Sequence, residues 1–274
     1  MAIKEKLPEL VASDIGGTLS RGVNPIPPFT VNVLNRLVEK NIPVALITGY
    51  NYHTTLKITR DLDERILLLP QNGTLCMKEK QLVWEYRIPE QEVYKLYDYL
   101  DEHGLPIIIY KGKNENFKNF YISRNQIPHL NYGFEWMFRS NGFENITGIS
   151  TILPDEMARK VRSEIQEIVG DKFNVIYTPE TNGSWLEVCH TEARKDLALK
   201  RLCHELSIPL TAVLYFGDNF NDLEALRLVG FPVLVENAAP ELKKEFETII
   251  PAASEQGVGH YLNERYHLGL KYIR

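Results

Sequence analysis

Four polar residues each follow a short apolar run of the kind that forms a buried strand: Asp14, Thr48, Asn72 and Asp218. A carboxylate placed directly after a strand suits nucleophilic attack or cation binding, because the strand fixes it while the following loop lets a ligand approach. In an open parallel sheet, ligands bind at the carboxyl ends of the strands. We therefore expect the four side chains to meet at one edge of a sheet, although a single Asp is also common in turns and caps.

Strand-like and helix-like segments alternate at both ends of the chain. Near the start, strands at 42–47 and 66–69 follow a helix for which Thr30 is the expected N-cap. Near the end, a strand at 212–216 is followed by a helix at about 222–229. Strand, helix and strand in this order predict a parallel sheet, so both ends are expected to form halves of one doubly wound α/β domain.

The middle of the chain has a different pattern. Residues 85–188 mix helical and strand signals and are expected to form an inserted α+β domain between two core segments, 1–84 and 189–274. The stretch 125–151 shows no sustained period. An insert of this kind is expected to act as a mobile lid, hinged at its two junctions with the core.

Composition narrows the possible partners and compartment. The 274 residues carry a net charge of −5, which gives no general attraction to nucleic acid or anionic lipid. The three cysteines are odd in number and lack Cys-x-x-Cys spacing, which fits a reducing cytoplasm. No signal-like apolar segment, membrane-length apolar run or zinc-like histidine spacing is found in the sequence. The oligomeric state is not predicted.

Several motifs, in order, resemble those of the haloacid dehalogenase superfamily. Residues 14–19 resemble the first motif, DxDGT[LV], and Thr48 with Gly49 resembles the second. Lys195, which opens a predicted helix, resembles the third, and residues 217–222 match the fourth, GDxxND. The large insert and the NAxxxLK-like stretch at 237–243 are similar to the Cof-type phosphatase branch. The resemblance extends over the whole chain and implies a Rossmann-like core with an inserted cap.

This resemblance implies a Mg²⁺-dependent phosphatase for small phosphorylated metabolites, with sugar phosphates as the leading class. A phosphomonoester dianion repels a carboxylate nucleophile, so attack needs a divalent cation and a positive side chain. The catalytic residues implied are Asp14, as the nucleophile that forms an aspartyl-phosphate, Thr48 and Lys195. The metal ligands implied are Asp14, the Gly16 carbonyl and Asp218, with support from Asp222. The phosphoryl oxygens would be held by the amides of Ile15 and Gly49 and by the side chains of Thr48, Lys195 and Asn221.

Two positions depart from the family pattern. Gly16 stands where the motif usually has a second Asp, which protonates the leaving group and then activates water. Loss of such general acid–base catalysis typically costs ~10² to 10⁴ in rate, so slow or altered turnover is expected. Tyr50 stands where the Cof-type branch often has Arg.

The sequence also allows other interpretations of the function and of single residues. The loss of an acid at Gly16 allows a phosphate-binding pseudoenzyme of the same fold. The sequence DIGGT at residues 14–18 also matches the phosphate-binding opening of actin-like sugar kinases, although GDNFND at 217–222 is then unexplained. Taken singly, Thr48 and Asp222 could be helix caps and Lys195 a solvated helix residue.

Overall fold

A computed structural model describes residues 7–112, 120–122, 135–136, 139–179 and 183–272. The chain divides into two compact units. The core unit comprises Met1–Val83 and Arg194–Arg274, and the inserted unit comprises Trp84–Ala193. No helix in the described ranges is long and apolar enough to cross a membrane.

The described elements are numbered in chain order. The first segment contains β1 (Leu10–Ser13), α1 (Pro28–Glu39), β2 (Val44–Ile47), α2 (Tyr52–Ile58), β3 (Leu67–Leu69), β4 (Leu75–Lys78) and β5 (Gln81–Glu85). The middle contains α3 (Glu90–Glu102), β6 (Ile108–Lys111), β7 (Phe120–Ile122), β8 (Glu135–Trp136), β9 (Ile146–Leu153), α4 (Asp155–Val169), β10 (Phe173–Thr178) and β11 (Ser184–His190). The last segment contains α5 (Lys195–Leu206), β12 (Val213–Gly217), α6 (Leu223–Leu228), β13 (Phe231–Val235), β14 (Ile249–Ile250) and α7 (Gly257–Arg265).

The core unit is built on one sheet with strand order β5-β4-β3-β2-β1-β12-β13-β14. The strands from β3 to β14 in this order pair in parallel, and β4 pairs antiparallel with β3. Strand β1 is fully buried and lies between β2 and β12, where the direction of strand succession reverses. Such a switch point opens a crevice at the carboxyl ends of the strands. The predicted α/β class with a parallel sheet is confirmed.

The strand register brings distant parts of the sequence to this crevice. Ser13 pairs with Leu46 on one side and with Phe216 on the other. The Asp14 amide then donates to the Phe216 carbonyl at 2.9 Å. Asp14 therefore leaves the sheet beside the segment that leads into Asp218.

Some elements of the core unit differ from the sequence-based expectations. Helix α1 begins at Pro28, and Thr30 is a buried residue within its first turn rather than its N-cap. Proline is well suited to that first position because its φ is already helical and its missing N–H would be unpaired there. Strands β4 and β5 were not predicted. The sequence around Leu242 and Phe246 has the spacing of a helix, but the structure has only a single 3₁₀ turn there, Leu242–Lys244.

The inserted unit contains a second sheet, with strand order β10-β11-β9-β6-β7-β8. Its pairs are antiparallel except for β7 with β8. Apolar residues of α3 and α4, such as Leu96 and Ile165, share a buried cluster with Ile149 and Val188 of the sheet. The unit is thus α+β, as the sequence predicted.

Strand β9 and the second junction of the inserted unit differ from the sequence-based expectations. Strand β9 falls largely within 125–151, where the sequence shows no period, and residues 125–134 and 137–138 of that stretch lie outside the described ranges. The second junction follows Ala193 rather than residue 188, because β11 continues as far as His190.

Candidate active site

Three carboxylates meet at the carboxyl ends of β1 and β12. Asp14, Asp218 and Asp222 each offer an oxygen, and these oxygens lie within 4.8 Å of one another. The Thr18 hydroxyl donates to Asp218 Oδ1 at 3.2 Å. Asp14 Oδ2 is buried and has no hydrogen-bond partner among the described residues. Because an unpaired buried carboxylate oxygen is costly, this atom fits a cation as its missing partner.

Lys195 forms ion pairs with two of these carboxylates. Its Nζ lies 2.6 Å from Asp14 Oδ1 and 2.8 Å from Asp222 Oδ1, and its side chain is 1% exposed. It is the first residue of α5, where the helix dipole disfavours a positive charge. The two carboxylates outweigh this cost. The interpretation of Lys195 as a solvated surface residue is therefore wrong.

Asp222 is held by protein groups at both of its carboxylate oxygens. Its Oδ1 accepts from the Tyr215 hydroxyl at 2.8 Å as well as from Lys195. Its Oδ2 accepts from the backbone amides of Asp218 at 3.2 Å and Asn219 at 3.3 Å. The residue thus caps its own turn and also orients the lysine. This arrangement suits support of a metal site better than direct ligation.

Two glycines allow the loops to approach this closely. Gly17 has φ +91°, and a Cβ there would lie 2.2 Å from Asp218 Oδ2. At Gly217 a Cβ would lie 2.7 Å from the Asp222 Cβ. Any larger residue at either position would push a carboxylate out of the cluster.

The electrostatics of the cluster follow from burial and crowding. Burial raises the pKa of Asp14 to about 6, against the opposing effect of Lys195. Burial, with Asp14 and Asp222 nearby, raises the pKa of Asp218 to about 7. Burial alone would lower the pKa of Lys195, but the two adjacent carboxylates raise it above its usual value. The lysine therefore stays charged while the carboxylates compete for further positive charge.

The residues expected to contact phosphate occupy the neighbouring strand ends. Thr48 is buried directly after β2, and its Oγ1 accepts from the Tyr50 amide at 3.2 Å. It is not the N-cap of α2, since Asn51 holds that position and accepts from the Thr54 amide. Gly49 is exposed beside Thr48.

The other two expected phosphate contacts differ in burial. Ile15 is fully buried in the loop after β1. Asn221 is exposed on the 3₁₀ turn after β12, and within the described ranges its side chain makes no hydrogen bond to the carboxylate cluster.

The two departures from the family pattern lie against each other. A Cβ built on Gly16 would lie 2.6 Å from the Tyr50 hydroxyl oxygen and 2.9 Å from two of its ring carbons. The Tyr50 ring therefore occupies the space that a side chain at position 16 would need.

Sequence reasoning missed two residues that organise the site. Tyr215 is a fully buried strand residue whose hydroxyl binds Asp222. Asn237 donates to the Gly17 carbonyl at 2.8 Å and accepts from the Ala253 amide at 3.0 Å. A tyrosine within an otherwise apolar strand was an available signal for the first. The NAxxxLK-like stretch begins at Asn237, but the resemblance assigns no role to this side chain.

A family model described as haloacid dehalogenase-like hydrolase matches residues 11–262. The chain belongs to this family. The predicted membership of the haloacid dehalogenase superfamily, in its Cof-type branch, and the predicted enzyme class, a phosphatase-type hydrolase, are thereby confirmed. The match decides against the actin-like sugar kinase.

Individual relatives agree with this assignment. The chain is 25% identical to an HMP-PP phosphatase of Yersinia pestis, over 93% of this chain and 94% of that protein. A haloacid dehalogenase-like hydrolase from Bacteroides thetaiotaomicron has the same fold, with a TM-score of 0.83, 20% identity and coverage of 94% and 99% of the two chains. A sugar phosphatase of haloacid dehalogenase subclass IIB aligns with a TM-score of 0.70 and 18% identity, over 95% and 99%.

Proposed function

We propose that this hydrolase is a Mg²⁺-dependent phosphatase that cleaves small phosphomonoesters through an aspartyl-phosphate on Asp14. The observation that carries the proposal is the buried pair of Asp14 and Lys195 beside Asp218, with Asp14 Oδ2 left unpaired. Most buried carboxylate oxygens in proteins have a hydrogen-bond partner. An unpaired oxygen in a carboxylate cluster is instead typical of a site that binds a further charged group.

The residues present fit Mg²⁺. Asp14 and Asp218 would supply oxygen ligands, and the Gly16 carbonyl belongs to the loop that follows Asp14. Hard oxygen ligands with room for several waters are what Mg²⁺ prefers. When bound, the ion would neutralise phosphate charge and so allow a carboxylate to approach. Asp222 would act by holding Lys195 and the loop at Asp218.

The protein side chains carry out nucleophilic attack and hold the phosphoryl group. Lys195 orients Asp14 and adds positive charge where the phosphoryl group must come. Attack by the Asp14 carboxylate on phosphorus breaks the bond to the leaving oxygen, and water then cleaves the aspartyl-phosphate to release phosphate. The Thr48 hydroxyl, the amides of Ile15 and Gly49, and Asn221 are the proposed contacts to the phosphoryl oxygens.

The proposed substrate class is small phosphorylated metabolites, with sugar phosphates first. The support is the family resemblance, together with the subclass IIB sugar phosphatase of the same fold. Because one relative is an HMP-PP phosphatase, that compound belongs in the test panel as well. Localisation in the cytoplasm is part of the same proposal.

Phosphate release from a panel of sugar phosphates, HMP-PP and an aryl phosphate, with and without Mg²⁺, tests the function. Asp14→Asn is expected to lower kcat by at least ~10³-fold, as removal of a nucleophile does elsewhere. Asp218→Asn should raise the Mg²⁺ concentration needed for activity. Asp61→Asn, at an exposed position of the core unit, is the matched control and should change neither quantity.

The outcomes separate the alternatives. If both site variants keep full, chelator-insensitive activity, the proposed nucleophile and metal site are wrong. If the wild-type chain binds phosphate and Mg²⁺ but releases no phosphate from any ester, a phosphate-binding pseudoenzyme is the correct description.

A further inference from the structure

The space above Gly16 is occupied by a phenol. The Tyr50 hydroxyl oxygen lies 2.6 Å from the position of a Gly16 Cβ, closer than a real Cβ could approach. Gly16 follows Asp14 by two residues, and Tyr50 follows Thr48 by two. Both loops extend from the carboxyl edges of adjacent parallel strands. The hydroxyl therefore lies at the level of the loops, beyond the strand ends that carry Asp14 and Thr48.

The backbone around Tyr50 is fixed on both sides. Its amide donates to Thr48 Oγ1 at 3.2 Å, and its carbonyl accepts from the Gln71 amide at 2.8 Å. Asn51 then begins the following helix as its N-cap. Tyr50 thus sits on an anchored turn, and its ring lies against Gly16.

A phosphomonoester with an alkyl leaving group needs a hydrogen-bond or proton donor at the leaving oxygen, because a free alkoxide is a poor leaving group. In an in-line displacement that oxygen lies on the side of phosphorus away from Asp14. Asp14 directly follows β1, so we infer that this oxygen lies toward the loops that carry Gly16 and Tyr50. The buried carboxylate of Asp222 is already committed to the lysine and to backbone amides.

We propose that Tyr50 is a catalytic residue whose hydroxyl donates a hydrogen bond to the leaving-group oxygen. This rests on the proposed phosphatase function. The proposal explains both departures from the family pattern. Gly16 leaves room for the Tyr50 ring, and the Tyr50 hydroxyl supplies the donor that a glycine cannot supply. The proposal also implies that Gly16→Asp alone brings no gain, since the new side chain must displace the phenol.

The test compares an alkyl phosphate with a p-nitrophenyl phosphate, whose leaving group departs without a donor. Tyr50→Phe keeps the ring and removes the hydroxyl. It is expected to lower kcat/KM for the alkyl ester by about 10²-fold, the typical loss for one transition-state donor, and to change the aryl ester little. Gly16→Ala, whose methyl group displaces the hydroxyl, is expected to show the same selective loss.

Tyr52→Phe is the matched control, because it removes a hydroxyl from a buried tyrosine two residues away and should leave the alkyl-to-aryl ratio unchanged. An unchanged ratio in Tyr50→Phe, with the wild type active on both esters and Asp14→Asn inactive, would overturn the role of Tyr50 but keep the proposed function. An equal loss on both esters would also overturn it. A wild type inactive on both esters would overturn the proposed function and this inference with it.

Discussion

Replacing Lys195 by Met removes the one positive charge that the site holds between two buried carboxylates. The ammonium lies 2.6 Å from Asp14 Oδ1 and 2.8 Å from Asp222 Oδ1, and the three side chains are between 0 and 6% exposed. Met fills a similar volume, so lost packing is small. The main effect is that two carboxylates remain in a poorly hydrated space with no counter-ion.

The expected magnitude follows from that geometry. Removing one partner of a buried ion pair costs about 3–5 kcal/mol in free energy of unfolding, because the remaining charge is uncompensated. Burial already raises the pKa of Asp14 to about 6 while Lys195 opposes it, so the substitution raises this pKa further. A carboxyl with a raised folded-state pKa binds its proton more tightly in the native state. Stability therefore falls as pH rises, and the loss is larger at pH 8 than at pH 5.5.

The assay is urea unfolding in the presence of a chelator, so that no cation replaces the lysine. All three tryptophans, Trp84, Trp136 and Trp185, lie in the inserted unit. Far-UV circular dichroism, with hydrogen exchange of the β1 and β12 peptides, is therefore the appropriate probe of the core unit. The control is Lys200→Met, an exposed residue of the same helix, for which a change within about 0.5 kcal/mol is expected.

If the free energy of unfolding of Lys195→Met lies within about 1 kcal/mol of the wild-type value at pH 8, Lys195 contributes no more than a surface ion pair and the predicted effect of burial is refuted. A loss that does not depend on pH would show that packing, and not the uncompensated carboxylates, causes the effect. Added Mg²⁺ should recover part of the lost stability, since the cation supplies charge to the same oxygens.

Two further predictions concern the loop beside Asp218 and the inserted sheet. Gly17→Ala should weaken Mg²⁺ binding by roughly 10–100-fold in calorimetry, because its Cβ would lie 2.2 Å from Asp218 Oδ2. Gly22 also has a positive φ, +58°, but nothing lies within 4 Å of its Cβ position, so Gly22→Ala should bind Mg²⁺ normally. Equal affinities would contradict the steric argument. Burial raises the pKa of Glu187 to about 7, so the stability of the inserted unit should fall by up to about 3 kcal/mol between pH 4.5 and 7. Glu187→Gln should abolish that fall when the free energy of unfolding is measured by urea titration with tryptophan fluorescence. If the wild type and the variant lose stability equally between these pH values, Glu187 is not the cause.

The sequence determined the fold class and the place of the site. Apolar runs that end in Asp14, Thr48 and Asp218 indicate strands, and helical stripes between them require parallel pairing. Parallel strands carry their carboxyl ends to one edge, so these side chains had to converge wherever the sheet formed. The order of the motifs then pointed to the family. The local sequence pattern was sufficient to predict the fold class and the place of the site, because each strand end and each motif spans only a few residues.

The tertiary structure decided which of these residues interact and how. Lys195 reaches Asp14 across 181 positions of sequence, and no local signal shows that its charge is buried or that it also binds Asp222. The contact of Tyr50 with Gly16 is likewise invisible in the chain, where the two positions read as separate defects. Strand β9 lacked any sequence period because it is buried along nearly its whole length, on both faces of its sheet. Side-chain contacts between distant strands depend on register and loop path, which are set only when the sheet packs.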